Sequence, residues 1–121
     1  MQEMQMGVVE SRFADIIWEH EPLSSAELAR YGAELLQWKK TTCYTVLKRL
    51  CDKGIFQNDR GTVTSQLSRE EFYALQSEKF VEDAFDGSLP AFLTAFTARK
   101  RLTAADVEKL RRMVAEYEEG E

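Results

Sequence analysis

The sequence is poor in the residue types from which most catalytic and metal sites are built. It contains one histidine and two cysteines in 121 residues. No motif for a Ser-His-Asp or Cys-His centre surrounds His20, and one histidine with two cysteines at these spacings does not form a zinc site. No glycine-rich phosphate loop is present. We therefore expect a protein that is not an enzyme and that needs no metal or cofactor.

Long apolar stretches are also missing. The uncharged runs fall far short of the roughly 18 apolar residues of a membrane span. The N-terminus has no basic segment followed by an apolar run, so it does not resemble a signal peptide. A content of 44% hydrophobic and 31% charged residues is typical of folded, soluble proteins. We expect a cytoplasmic protein with no membrane partner.

The two cysteines, Cys43 and Cys51, fall in one predicted helix. Their offset separates them by about 12 Å along the helix axis. This is too far for a disulfide between them. We expect Cys43 to be a small core residue and Cys51 a partly exposed thiol; a redox role for either is the alternative.

Charge is unevenly distributed along the chain. The formal net charge is −5, yet residues 39–60 contain six cations and two acids. Acidic residues are concentrated towards the C-terminus. Because the local field governs contact with phosphates, the basic segment remains a candidate for binding a polyanion despite the net charge.

Residues 38–54 carry the most informative pattern. Apolar residues at i, i+3, i+4 and i+7 predict a helix whose buried face contains Cys43, Val46, Leu47 and Leu50. The free face combines hydroxyls with long cations, as major-groove and phosphate contacts require. A solvated basic surface helix is the alternative. We expect DNA contacts from Lys39, Lys40, Thr41, Thr42, Tyr44, Thr45, Lys48 and Arg49.

The elements around this helix predict a winged helix-turn-helix domain in residues 1–67. A first helix is predicted over 8–20, with Val9 inward. The pair Ser24 and Glu27 forms a capping box for a second helix that buries Leu35 and ends near Leu36. After Gly54, two short segments around the turn Asp59-Arg60-Gly61 predict a β-hairpin. In this arrangement helix 3 enters the major groove and the hairpin, or wing, lies along the DNA backbone, with Arg60 at its tip.

Residues 68–121 are predicted to form three further helices and a dimerisation domain. Helix starts are indicated by Ser68, Ser88 and Thr103. Seven of the thirteen aromatic residues follow Ser68, more than so short a segment buries alone. Packing back on the N-terminal domain is the alternative to a homodimer. The expected dimer contacts are Phe80, Phe85, Leu89, Phe92, Leu93, Phe96, Val107, Leu110 and Val114.

With these patterns in view, the chain resembles the BlaI/MecI penicillinase-repressor family, which also includes copper-responsive repressors. The likeness covers nearly the whole chain. It includes Glu10 and Trp18 in the first helix, the segment 23–28 that opens the second helix and the segment 68–72 that opens the fourth. The most specific stretch runs from Trp38 through Thr42-Cys43-Tyr44-Thr45 to Lys53-Gly54. Later matches are Gly87-Ser88-Leu89 and Leu102-Thr103.

The resemblance implies a homodimeric repressor that binds operator DNA through helix 3 and the wing. In the antibiotic-responsive branch it also implies a sensor-protease system that triggers cleavage in the C-terminal region. Several positions depart from the family pattern: Cys43 replaces a valine, and the polar run 62–66 replaces a Tyr-x-Tyr pattern in the wing. No cysteine follows Cys51, so copper sensing through a C-terminal cysteine pair is excluded.

Our prediction is therefore a sequence-specific repressor that binds a palindromic duplex-DNA operator as a homodimer. Thr42, Thr45 and Lys48 should face bases, while Lys39, Lys40 and Arg60 should neutralise phosphates. A winged-helix adaptor that binds proteins instead of DNA is the alternative, since fold does not determine function. A third possibility is a DNA-binding protein that senses an apolar ligand in its C-terminal helices.

Overall fold

The computed structural model describes residues 6–120 and is mainly α-helical, with one small sheet. The chain divides into two compact units, Met1–Lys79 and Phe80–Glu121. The predicted fold class, a winged helix followed by C-terminal helices, is confirmed. The elements in chain order are α1 Val8–His20, β1 Leu23–Ser24, α2 Ser25–Leu36, α3 Lys40–Asp52, β2 Phe56–Asp59, β3 Thr62–Ser65, α4 Arg69–Phe85, α5 Leu89–Thr97 and α6 Ala104–Glu119.

Hydroxyl caps start the helices where the sequence predicts them. At α2, the Glu27 amide donates to Ser24 Oγ at 3.0 Å, and the Ser24 amide donates to Glu27 Oε1 at 3.0 Å. These two bonds complete the capping box. The backbone and side-chain bonds to Ser24 hold the pKa of the Glu27 carboxyl below its ordinary value. Ser68 and Glu71 form the same reciprocal pair at the start of α4.

The sheet has three antiparallel strands in the order β1-β3-β2, where a two-stranded hairpin was predicted. The additional strand is β1, which pairs Leu23 with Val63. Two residues are too few for the period-2 pattern that identifies a strand. The turn also differs from its prediction. Asp59 pairs with Thr62, and a two-residue loop remains in which Arg60 and Gly61 have φ of 54° and 89°, as in type I′ hairpin turns.

The core lies in the first unit, between α1, α2, α3, the sheet and the start of α4. Two predicted inward residues are instead exposed: Val9 retains 49% of its accessible surface and Leu35 51%. Val9 lies in the first turn of α1 and Leu35 in the last turn of α2, where each helix extends past the core. The buried residues include Phe13, Ile17, Leu28, Cys43, Val46, Leu47, Leu50, Ile55, Phe56, Val63 and Phe72.

The start of α4 is fixed to α1 within the first unit. Trp18 Nε1 donates to the Leu67 carbonyl at 2.9 Å. Arg69 forms an ion pair with Asp15 at 3.1 Å and lies 5.6 Å from the Trp18 ring centroid. Phe72 is fully buried. These contacts all lie within the first compact unit, which includes the part of α4 up to Lys79.

The second unit contains the end of α4 together with α5 and α6. The break between α4 and α5 uses Asp86 and Gly87, with φ of 52° and 77°, and Ser88 Oγ then accepts the Ala91 amide. Thr103 Oγ1 accepts the Asp106 amide at the start of α6. No residue described in α5 or α6 is fully buried in the single chain.

Aromatic rings form a cluster in this second unit, in which Phe80, Phe85 and Phe92 pack edge to face and Phe96 is tilted against Phe92. Phe85 lies 5.9 Å from Phe80 and 5.6 Å from Phe92 between ring centroids, and Phe92 lies 6.1 Å from Phe96. Other apolar side chains of this unit remain exposed: Leu89 is 57% exposed and Val114 59%. Of the predicted dimer contacts, Leu93 and Leu110 are partly buried, whereas Phe96 and Val107 are exposed.

Candidate nucleic-acid interface

The exposed face of α3 brings most of the predicted DNA-contacting residues together. The opposite face is buried through Cys43, Val46, Leu47 and Leu50, as the spacing predicted. The helix is therefore held by its apolar side, with its polar side free. Tyr44 is half-buried, and the side chains that remain exposed are Lys40, Thr41, Thr42, Thr45, Lys48 and Arg49.

The first turn of α3 has an unusual charge. Lys39 occupies the N-cap position without a side-chain cap, Lys40 follows, and no acid is present in that turn. Cations at a helix N-terminus are unfavourable, because the unpaired amides already carry partial positive charge. The Lys40 ammonium lies 5.9 Å from the Tyr44 ring centroid, a weak contact at an exposed site. This end of α3 is therefore suited to an anion.

Hydroxyl groups continue along the same face. Thr45 Oγ1 donates to the Thr41 carbonyl at 2.9 Å. Thr41, Thr42, Thr45, Val46 and Arg49 together line a shallow depression. The depression lies on the exposed face of α3, whose opposite face packs against the core. A planar edge approaching α3 thus meets methyl groups and hydroxyl oxygens flanked by a guanidinium.

The cations further along α3 have acidic partners in the free protein. Lys48 pairs with Asp52 at 3.2 Å, and both side chains are largely exposed. Arg49 Nη1 lies 3.6 Å from Glu10 Oε2 and keeps 54% of its side chain exposed. Exposed pairs of this kind contribute roughly 0.2–1 kcal/mol each, so they yield readily to a phosphate.

Glu10 is a residue whose structural role the sequence did not indicate. Its Oε1 accepts the Gly7 amide at 3.3 Å, and its Oε2 lies 3.9 Å from Lys53 Nζ, in addition to the contact with Arg49. The side chain is only 21% exposed. Glu10 thus ties the start of α1 to the last turns of α3. No spacing rule links two residues so far apart in the chain, so sequence patterns alone do not reveal the pair.

The wing presents one cation at its tip. Arg60 is exposed and occupies the first position of the tight turn, and the Gly61 amide donates to Asn58 Oδ1 at 2.9 Å. The remainder of the wing surface is polar: Gln57 Nε2 donates to Thr64 Oγ1 at 3.2 Å, and Gln66 Nε2 donates to Gln57 Oε1 at 3.1 Å. Arg60 is therefore the wing residue with the charge for a phosphate contact.

The base of the wing is fixed to the end of α1 by Glu21, another residue that sequence patterns missed. One Glu21 oxygen accepts both the amide and the hydroxyl of Ser65 at 2.8 Å. Pairing of β1 with β3 adds a second attachment, because Ser24 in β1 also caps α2. The wing and the helix-turn-helix therefore form one connected scaffold.

Cys51 lies where α3 faces the wing. It lines a groove with Tyr44, Leu47, Lys48 and Asn58, and both cysteines are free thiols. Burial, with a smaller contribution from Asp52, raises the pKa of the Cys51 thiol. A raised pKa keeps the thiol protonated at neutral pH and lowers its reactivity.

Residues 6–120 contain no cluster of three or more histidine, cysteine or acidic residues arranged to hold a metal ion. Within that same range, every helix falls short of the length and apolarity that a membrane crossing needs.

Comparisons with known proteins place this scaffold among repressors. The model of the family described as "Penicillinase repressor" matches residues 6–116. The penicillinase repressor of Bacillus licheniformis is 21% identical over 117 residues, which cover 93% of this chain and 91% of that protein. The solution structure of the DNA binding domain of the repressor BlaI has a TM-score of 0.51 and 24% identity, and covers 59% of this chain and 93% of that chain.

The structural likeness supports the winged-helix fold, and the family match spans both compact units. The predicted resemblance to the BlaI/MecI family is confirmed. The chain belongs to the penicillinase repressor family, whose members are transcription regulators and not enzymes.

Proposed function

We propose that this protein is a homodimeric repressor that binds a palindromic DNA operator through the exposed face of α3 and the tip of the wing. The observation that carries the proposal is the α3 face itself, where hydroxyls and cations lie on a helix anchored by its apolar side. A single α-helix such as α3 fits into the major groove of B-DNA. A solved structure that shares this fold is described as a DNA binding domain.

Phosphate contact explains the charge at the start of α3. Lys39 and Lys40 weaken the isolated helix, because they add positive charge to its positive end. A DNA phosphate at this position would satisfy both the lysines and the free amides. Arg60 at the wing tip would contact a second stretch of backbone. In this proposal Lys48 and Arg49 exchange their acidic partners, Asp52 and Glu10, for DNA on binding.

Dimerisation through the second unit follows from its exposed apolar surface. Leu89, Phe96 and Val114 retain about half of their accessible surface in the single chain. Leaving so much apolar area in water is unfavourable by roughly 25 cal/mol per Å². A second copy related by a two-fold axis would cover the same residues on both chains. Two winged helices then read two half-sites.

Release from DNA through proteolysis is the remaining part of the proposal. The segment between α4 and α5 contains Asp86 and Gly87, both exposed and both at positive φ. An exposed turn of this kind fits a protease better than the flanking helices do. Cleavage there would separate the reading domain from the dimer contacts and remove the avidity of the pair. A sensor-protease system would supply the cut.

Selection from a random duplex-DNA pool tests the proposal directly. Purified full-length protein, shown by sedimentation to be dimeric, is incubated with the pool at low and moderate salt, and bound sequences are read after several rounds. We expect a palindrome whose half-sites lie one or two helical turns apart. Affinity should fall steeply with salt, because binding releases counterions from the phosphates.

The opposite result would favour the adaptor function. A folded, dimeric protein that enriches no sequence at either salt concentration does not act as an operator-binding repressor. Enrichment of a single half-site without its inverted copy would retain DNA binding but reject the dimeric arrangement. An uncut chain after exposure to the activated sensor-protease would reject release by proteolysis alone.

A further inference from the structure

Two threonines on the exposed face of α3 differ in what they offer to a ligand. Thr45 donates its only hydroxyl hydrogen to the Thr41 carbonyl at 2.9 Å. The Thr42 hydroxyl makes no hydrogen bond within the part of the chain that the structure describes. Because a hydroxyl has one donor and two acceptor lone pairs, Thr42 can both donate and accept. Thr45 is left with acceptor lone pairs and its methyl group.

The side chains next to Thr45 differ from it, because they can only donate hydrogen bonds, whereas the Thr45 hydroxyl can only accept further ones. Lys48 and Arg49 lie on the same exposed part of α3, and their charged groups only donate hydrogen bonds. Thr45 therefore places an acceptor and a methyl group among donors. The shallow depression that it lines with Thr41 and Thr42 is open to solvent, so an incoming base edge can reach Thr45.

Base pairs differ in how they match an acceptor next to a methyl group. In the major groove, an A·T pair presents the adenine N6 amino donor and the thymine C5-methyl group. A G·C pair presents the guanine acceptors and the cytosine N4 amino donor, but no methyl. Only the A·T pair offers a donor and an apolar group together.

We propose that Thr45 reads an A·T base pair in each operator half-site. Its methyl group contacts the thymine C5-methyl, and Oγ1 accepts a hydrogen bond from adenine N6 while still donating to the Thr41 carbonyl. This inference rests on the proposed function, and it assigns a base pair to one residue. Thr42, with its free donor, is not restricted to this pair.

Single-atom changes in the DNA test the assignment. The palindrome recovered by the selection is synthesised with each thymine of one half-site replaced in turn by deoxyuridine, which lacks the methyl group. In a second series, each adenine is replaced by purine, which lacks the 6-amino group. Dissociation constants are measured for the wild type, Thr45→Ser, Thr45→Val and the control Thr94→Ser, after circular dichroism has shown that each variant is folded. Thr94 is an exposed threonine of α5 whose hydroxyl donates to the Pro90 carbonyl at 2.9 Å, the same kind of bond that Thr45 makes.

Replacing one particular thymine by deoxyuridine should lower the affinity of the wild type about fourfold, because burial of one methyl group contributes roughly that much to binding. Thr45→Val retains a methyl and should keep this loss, whereas Thr45→Ser should bind thymine and uracil equally. At the partnering adenine, loss of the amino group should weaken the wild type and Thr45→Ser but leave Thr45→Val unchanged. Thr94→Ser should behave as the wild type does in both series.

Two results overturn the inference while leaving the repressor function standing. In one, a palindrome is recovered and the wild type is indifferent to every thymine methyl. In the other, Thr45→Ser keeps the full wild-type preference for thymine over uracil. If no palindrome is recovered at all, the proposed function fails first and this inference fails with it.

Discussion

Gly32 and Cys43 form a complementary pair at the crossing of α2 and α3. A Cβ atom added to Gly32 would overlap Cys43 Sγ, and it would also approach the Phe13 ring at 3.5 Å. Both residues are buried. The close approach of the two helices thus depends on a missing side chain on one of them, and it holds α3 against the core in the position from which its free face is presented.

Replacing Gly32 with Ala should destabilise the protein. The overlap with Cys43 should cost roughly 1–3 kcal/mol, typical of an overpacked core. In a Cys43→Ala background the same change should stabilise the protein by about 0.5–1 kcal/mol, because alanine favours helix over glycine. Urea unfolding of the wild type, the two single variants and the double variant gives the interaction free energy between positions 32 and 43. Equal effects of Gly32→Ala in both backgrounds would show that Sγ is not the limiting contact.

Removing a phosphate contact should reduce the salt dependence of DNA binding. Each cation occurs twice in a dimer, so Lys40→Ala or Arg60→Ala should lower the slope of log K against log salt by about 1.8. Relative affinities for different sequences should change little, since phosphate contacts carry no base information. Arg112→Ala, which removes an exposed arginine of α6, is the matched control and should leave the slope unchanged. A slope that stays at the wild-type value in Lys40→Ala would remove Lys40 from the interface.

A charge among the exposed apolar side chains of α6 should weaken the proposed dimer. Val114→Asp replaces an apolar side chain that is 59% exposed in the single chain with one that is unfavourable to bury. We expect the dimer dissociation constant to rise about tenfold or more. The neighbouring Ala115→Asp adds the same charge on another side of the helix and should have little effect. Sedimentation equilibrium measures both, and equal weakening by the two variants would argue against a contact at Val114.

Losing the indole hydrogen bond at the junction of α1 and α4 should reduce stability. Trp18→Phe removes the Nε1 donor that reaches the Leu67 carbonyl and should cost roughly 1–3 kcal/mol from the unpaired carbonyl alone. Trp38→Phe is the control, because the Trp38 indole N–H has no hydrogen-bond partner among the described residues. Both rings pack against the core. If the two variants unfold at the same urea concentration, the hydrogen bond contributes nothing beyond packing.

The two cysteines should differ in their reactivity towards iodoacetamide. Burial raises the pKa of both thiols, but Cys51 is partly exposed whereas Cys43 is buried. Since the thiolate is the reactive form, alkylation of Cys51 should be slow at pH 7 and accelerate only above the pKa of an ordinary thiol, about 8.5. Cys43 should react only in denaturant. Mass spectrometry of the labelled protein decides, and rapid labelling of Cys51 at pH 7 would contradict the direction of its shift.

Local patterns predicted most of the helical architecture, because the capping residues and the apolar spacing that indicate a helix lie within a few residues of one another. The Ser24–Glu27 and Ser68–Glu71 pairs, and the apolar face of α3, all lie within one or two turns of sequence. Positive φ at Gly54, 83°, likewise agrees with the predicted end of α3. The family resemblance rests on these same segments and is confirmed by the family model.

The features that patterns missed all depend on distant partners. The strand β1 exists because Leu23 pairs with Val63, and the Glu21 carboxylate finds its donors at Ser65. Glu10 is paired with Arg49 across two helices. Exposure of Val9 and Leu35 reflects how far α1 and α2 extend past the core, which helical periodicity does not describe.

The attachment of the wing through Glu21 and β1 has a kinetic and entropic consequence for binding. A free hairpin would have to be ordered on the DNA after α3 had docked, and that ordering would subtract from the affinity. Here Arg60 and the α3 face are carried by one connected scaffold. In the proposed binding mode, once either of them touched the duplex, the other would already be at high effective concentration near its own phosphate. In that binding mode, α3 and the wing should therefore bind DNA together in one kinetic step and dissociate from it in one step.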